Sequence, residues 1–243
     1  MHTIDVAGIP VTALDYDAFL ALLTDRVSRP GSDHHISLNA AKWVAARSDP
    51  VLRSALRQAT SIGADGVSVL WAARRAGTPL PGRVPGFELA TALVARAATA
   101  GWRVALLGGT PDVSADAAVL LRRQGVDIVW AADGYFAADR AADRAAAISA
   151  TRPDLLLVAM GSPRAERWVA RHQPAASLTL GVGGTLDVWT GRAQRAPAVT
   201  QRWGLEWAWR FATAPRLRFR RAVVGSAAFI SQITAGRRVD LSR

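Results

Sequence analysis

One carboxylate in this chain stands where a general base would be needed. Asp65 lies in I-G-A-D-G-V-S-V-L-W-A-A-R, after a short apolar segment and before a helical pattern, flanked by Gly63 and Gly66. A side chain at such a junction projects into the crevice beyond a strand end, where it can take a proton from a substrate hydroxyl. The same position suits the cap of a helix starting at Gly66, a place Asp favours, and spacing alone does not separate the two. Similar junctions carry Ser37 and Asn39 after H-H-I-S-L-N, Gly108-Gly109-Thr110 after W-R-V-A-L-L-G-G, Gly161-Ser162-Pro163 after D-L-L-L-V-A-M-G, and Gly183-Gly184-Thr185 after S-L-T-L-G-V-G-G. Glycine ahead of a helix lets backbone N–H groups approach a phosphate at the positive helix end. No G-x-G-x-x-G and no G-x-x-x-x-G-K-[ST] is present, so neither a dinucleotide fingerprint nor a P-loop is indicated.

Other chemistries find little support. Asp15-Tyr16-Asp17 has the D-x-D form of a metal site but opens a helical pattern, where Asp15 serves as a cap. His2, His34, His35 and His172 show no metal-ligand spacing, and the chain has no cysteine, so no metal and no cofactor is expected. A G-x-S-x-G elbow for a serine nucleophile is absent.

Charge is distributed unevenly. The chain of 243 residues has a net charge of +11, and Arg192 to Arg243 carries eleven arginines against Glu206 and Asp240. Trp203, Trp207, Trp209, Phe211 and Phe219 are interleaved with those arginines. Guanidinium groups alternating with aromatic rings suit phosphate, whether on an anionic membrane surface, a nucleic acid or a nucleotide ligand. The later stretch A-V-V-G-S-A-A-F-I-S-Q-I-T-A-G is too short to span a bilayer, which takes about twenty residues, but could lie on one. The N-terminus M-H-T-I-D-V-A-G-I-P lacks the pattern of a signal peptide, so a cytoplasmic protein, peripheral on the inner face of the membrane, is expected.

These junctions need a frame. Apolar, β-branched strands are expected at 34–39, 102–109, 126–130, 154–161 and 177–184, with a short one near Ser61. Helical patterns fall at 15–28, 40–58, 66–77, 86–100, 111–123, 139–150 and 163–172. Asp15 and Ser162 suit caps, and Pro111 and Pro163 suit first helical positions. Strands apolar on both faces and separated by helices predict an α/β fold: a mostly parallel sheet with helices on both faces. A compositional boundary near Gly191 divides a nearly neutral body, 1–191, expected to fold alone, from a basic helical appendage, 192–243, expected to meet the membrane.

Together the strand-end motifs resemble the WecG/TagA/CpsF glycosyltransferases. The resemblance runs from about Asp5 to Arg221. It is carried by A-D-G-V-S-V-L-W-A-A-R, V-P-G-F-E-L, L-L-G-G-T-P, D-G-Y-F, P-D-L-L-L-V-A-M-G-S-P-R-A-E-R-W, G-V-G-G-T-L-D-V-W-T-G-R-A-Q-R-A-P and R-W-G-L-E-W-A-W-R, in that order. It implies a Rossmann-like fold of the family's own kind and metal-independent transfer of a sugar, typically N-acetylmannosamine or its uronic acid. The implied donor is a UDP-sugar and the implied acceptor a polyprenyl-diphosphate-linked sugar.

Position by position, the resemblance makes Asp65 the catalytic base and lets Ser37, where Thr is usual, and Asn39 position donor or acceptor. Arg83, in P-G-R-V-P-G, would hold the diphosphate. Gly108, Gly109, Tyr135, Gly183, Gly184 and Asp187 would line the UDP site, and Glu166 would contact substrate. Arg195, Arg210, Arg216, Arg218, Arg220 and Arg221 would meet the leaving diphosphate and the membrane. Two departures stand out: Ala165 replaces the family's Gln, and Ala222 stands where the terminal basic motif has Tyr. A non-catalytic basic module for RNA or anionic lipid is the competing reading. It has no use for a carboxylate facing phosphate, and no RNA-recognition signature or other sign of nucleic acid is present. Donor sugar, acceptor and self-association are not decided by sequence.

Overall fold

The computed structural model describes residues 1–194 and 225–241. It opens on a hairpin absent from the sequence expectation, β1 (Thr3–Val6) and β2 (Ile9–Thr12), paired antiparallel. Its turn residues Ala7 and Gly8 have φ of 50° and 94°, the positive values a two-residue hairpin turn requires. The helix α1 (Tyr16–Val27) follows, capped by Asp15, whose side chain accepts from the Ala18 N–H at 2.9 Å.

A regular alternation then begins: β3 (Asp33–Leu38), α2 (Ala40–Ala46), α3 (Pro50–Gln58), β4 (Ser61–Ala64), α4 (Val67–Arg75) and α5 (Gly86–Ala100). The single helix expected over 40–58 is two, because Asp49 caps α3 and Pro50 takes its first position. The chain continues through β5 (Arg103–Gly108), α6 (Pro111–Arg123), β6 (Asp127–Ala132), α7 (Ala141–Ala150), β7 (Leu155–Ala159), α8 (Arg164–His172), β8 (Leu178–Gly181) and α9 (Thr185–Trp189). Helix α10 (Gly225–Thr234) lies beyond the undescribed segment.

Six strands form one parallel sheet in the order β4-β3-β8-β7-β5-β6. Both faces are buried, as the unbroken apolar runs predict. On β5 and β7, Val104, Leu106, Leu155 and Leu157 face Phe19, Leu89, Leu93, Val113 and Leu121, from α1, α5 and α6. The alternate residues Leu107, Leu156 and Val158 face Ile148, Trp168 and Val169, from α7 and α8. A third cluster joins Ile36, Leu38 and Ile62 of the sheet to the hairpin, to α2, α3 and α4, and to Phe229 of α10.

This strand order fixes where a ligand can enter. From β5 the chain crosses outward to β6, whereas from β7 it crosses the opposite way to β8, and β5 and β7 are neighbours. Helices leaving adjacent strands in opposite directions open a crevice at the strands' carboxyl ends, the usual ligand site of such sheets.

Candidate functional site

Asp65 directly follows β4, and its N–H donates to the Leu38 carbonyl at 2.9 Å, which ties it to the end of β3. The cap position of α4 belongs to Gly66, which offers no side-chain bond. Asp65 therefore stands one residue before the cap of that helix. Its Oδ1 accepts from Gly86 N–H at 3.4 Å, at the positive end of the fifteen-residue α5. The Val84 N–H donates to the Ala64 carbonyl at 2.8 Å. This bond lays the 81–85 turn, with half-buried Arg83, along the outer edge of β4 beside Asp65.

Ser37 and Asn39 meet Asp65 from β3. Asn39 caps α2, accepting from the Lys42 N–H at 3.0 Å. The Ser37 hydroxyl is buried against Gly86, where a Cβ would come within 2.6 Å of it, so only glycine lets α5 start this close. His35 bridges the Ser37 hydroxyl at 3.2 Å and the Ser61 hydroxyl at 3.0 Å. Burial, with Lys42 and His34 adding to it, pushes His35 down to about 3, so the ring is neutral.

Beneath these groups lies an ion pair that motif reading passed over. Lys42 Nζ sits 2.7 Å from Glu166 Oε1 and donates to the Ser37 carbonyl at 2.7 Å. Both side chains are buried, and Glu166 Oε2 makes no hydrogen bond of standard geometry. Burial alone would raise the Glu166 carboxyl. The adjacent Lys42 charge, its hydrogen bond and a weaker pull from Ser162 hold it below the ordinary range. Glu166 thus lies under the cleft, and a Cβ on Gly181 of β8 would sit 3.6 Å from its Oε1. The signal was in composition: Lys42 is the only lysine in an arginine-rich chain.

The other end of the cleft is built from backbone. Gly108 has φ of 143°, and a Cβ there would stand 2.4 Å from the Ala159 carbonyl carbon of β7. Gly109 N–H donates to the Ala159 carbonyl at 3.2 Å, and Gly134 N–H to the Gly109 carbonyl at 2.9 Å. The loops after β5, β6 and β7 are thereby stitched together. Tyr135 follows Gly134 and is 71% exposed. Thr110 caps α6 through the Val113 N–H at 3.4 Å.

Beyond β8, Gly183 (φ 55°) and Gly184 lead into α9. Asp187, in the first turn of α9, gives its carbonyl to the N–H groups of Arg192 and Ala193 at 2.8 and 2.9 Å. The predicted residues thus fall into three groups along the carboxyl edge of the sheet. Ser37, Asn39, Asp65 and Arg83 lie at its β3–β4 end, and Gly108, Gly109 and Tyr135 at its β5–β6 end. Gly183, Gly184 and Asp187 lie beyond β8, between them. From β3 to β5 is three strand spacings, roughly 14 Å. Arg195, Arg210, Arg216, Arg218, Arg220 and Arg221, together with Ala222, lie outside the described residues.

Among the described residues no group of His, Asp or Glu could hold a metal ion, and no helix is long and apolar enough to cross a membrane. Shallow grooves between α4 and α10, lined by Trp71, Arg74, Arg75 and Thr234, lie away from the strand ends. Fold and site together define an α/β protein with its ligand cleft beyond the carboxyl ends of a parallel sheet. Residues 4–242 match the model of the glycosyl transferase WecG/TagA/CpsF family, and the chain belongs to that family. It is a glycosyltransferase: it moves a sugar from a nucleotide-linked donor to an acceptor.

Proposed function

We propose that this enzyme transfers N-acetylmannosamine, its uronic acid or a related hexose from UDP to a polyprenyl-diphosphate-linked sugar, with inversion and without a metal. The acceptor hydroxyl oxygen attacks the anomeric carbon from the face opposite the nucleotide. The bond from that carbon to the β-phosphate oxygen breaks, UDP leaves with the electron pair, and the hydroxyl proton passes to Asp65. Ser37 and Asn39 position the reacting sugars, and Arg83 holds the diphosphate. Gly108, Gly109, Tyr135, Gly183, Gly184 and Asp187 line the nucleotide path, with Glu166 in support. The arginines of 195–221 neutralise the leaving diphosphate and bring the protein to the cytoplasmic face of the membrane.

The observation that carries this reading is the placement of Asp65. Its carboxylate is not the cap of α4, and it is held at the start of α5 beside Asn39 and Ser37. The test is a panel of UDP-sugars offered with a short-chain polyprenyl-diphosphate-linked sugar, with product followed by mass spectrometry. One donor should give a product of inverted anomeric configuration in the presence of EDTA. No product from any donor, or retained configuration, would refute the reading.

A further inference from the structure

Two guanidinium groups share one aromatic ring near Gly108-Gly109, and only one of them has a counter-charge. Arg144 of α7 lies 5.6 Å from the Phe136 ring centroid and 5.8 Å from that of Trp130, and pairs with Asp133 at 3.3 Å. Arg164, at the start of α8, lies 5.6 Å from Phe136 and 5.9 Å from Tyr135. No hydrogen bond or ion pair meets the Arg164 guanidinium among the described residues. Such ring contacts fix the direction of a planar cation without neutralising it. Two like charges on one ring, with a single carboxylate that pairs with Arg144 alone, leave a place for an anion at Arg164.

The surroundings say where that anion belongs. Gly134, just before Tyr135, packs so closely on the strand-end pair that its Cβ would come 3.1 Å from Gly108 Cα. Arg164 opens the helix after β7, the strand that borders the crevice opposite β5. Its exposed guanidinium lies on the rings of Tyr135 and Phe136, the residues that follow Gly134, and so next to the loop packed on the glycine turn.

We propose that Arg164 binds the diphosphate of the nucleotide-sugar donor, held in place beforehand by Tyr135 and Phe136. This rests on the donor reading above. A guanidinium fork can grip two phosphate oxygens at once, and stacking beforehand lowers the ordering cost of doing so. The motif S-P-R-A-E-R-W thus contributes a surface arginine to the ligand and a buried glutamate, Glu166, to the frame.

The test is the binding of UDP to the full chain by calorimetry at moderate salt, with uridine followed by saturation-transfer NMR. Arg164→Ala should weaken UDP by about tenfold to a hundredfold, the usual scale of a charge-assisted contact, and leave the uridine signal unchanged. Arg164→Lys should recover only part of the loss, since charge returns without the fork. Phe136→Leu should weaken UDP less than Arg164→Ala does. UDP affinity of Arg164→Ala within about twofold of the parent would overturn the proposal. So would an equal loss of uridine and UDP, which would make Arg164 a support for the base alone. If the unaltered chain binds no UDP, the donor reading itself fails, and the parent rather than the variant reveals it.

Discussion

Lys42 Nζ and Glu166 Oε1 meet at 2.7 Å in the interior, with 7% and 3% of their side chains exposed. The pair spans the sheet's carboxyl edge, because Lys42 also holds the Ser37 carbonyl while Glu166 belongs to α8. It therefore braces the end of β3 against the start of α8, over β8, whose ladders to β3 and β7 fix the spacing of those strands.

Lys42→Met would leave the Glu166 carboxylate buried without its cation. Breaking a buried pair from one side costs about 3–5 kcal/mol, and urea denaturation should read a loss of that size. Lys42→Met with Glu166→Leu removes both charges and should restore much of it. A single variant as stable as the parent would show that water reaches this pair.

His34 and His35 make the fold sensitive to mild acid. Burial, the dominant cause, pushes them down to about 4 and about 3, against an unfolded value near 6.5. Between those limits the unfolded chain binds more protons than the folded one, so this stability is complete above about pH 6.5 and falls as pH falls. Each ring contributes a slope of about 1.4 kcal/mol per pH unit, giving a loss of about 4 kcal/mol between pH 7 and 5. The depressed Glu166 carboxyl extends the decline below its unfolded value. Urea midpoints at pH 7, 6 and 5 check this, and a flat series would refute it. His34→Gln should remove about half the slope.

Asp65→Asn keeps the side chain's shape and its hydrogen-bonding oxygen but cannot take a proton. Turnover should fall about a hundredfold or more, while UDP affinity and melting temperature stay near the parent's. A variant with more than about a tenth of parental turnover would remove Asp65 from the role of base.

Asp15 offers a contrasting carboxylate. Its side chain is engaged by the Ala18 N–H, so Asp15→Ala should cost about 1 kcal/mol of stability and leave turnover intact, as should excess EDTA. Activity lost on chelation and restored by manganese would instead assign the Asp15-Tyr16-Asp17 segment to metal.

Local signals were legible and distant ones were not. Helix α6 runs over 111–123 as read, because Thr110 and Pro111 mark its start within the sequence itself. The junction carrying Asp65 was visible for the same reason. Its partner was not: Gly86 reaches Asp65 only because the 81–85 turn folds back along β4. The pairing of Lys42 with Glu166 depends on α2 and α8 coming together over β8, which no local pattern encodes. The β1–β2 hairpin was missed although Ala7-Gly8 divides two short alternating runs. The stretch around Phe229 reads as an interfacial segment by hydropathy alone, yet its ring lies in the protein core.

Phe229 supplies the last prediction. Its ring meets Trp43 edge to face at 5.1 Å, and both are fully buried. Beyond α10 the chain returns to the N-terminal hairpin: Val239 N–H donates to the Ala7 carbonyl at 2.8 Å, and Arg238 pairs with Asp5 at 2.6 Å. Arg57 reaches the Leu241 carbonyl at 2.8 Å. A Cβ at Gly8 would stand 1.9 Å from the Val239 carbonyl oxygen, so the hairpin turn and this strap fit only with glycine. Residues 225–241 thus pack on the body, and a chain of residues 1–191 alone would lack Phe229 and Val239, two buried members of its core. Phe229→Ala should cost about 3–5 kcal/mol, lowering the melting temperature by roughly 10 °C. Ending the chain after Gly191 should do at least as much, exposing Trp43, Val6 and Ile9 and promoting aggregation. Melting of Phe229→Ala within about 2 °C of the parent, or a soluble, cooperatively folding 1–191 fragment, would show that the strap only rests on the body.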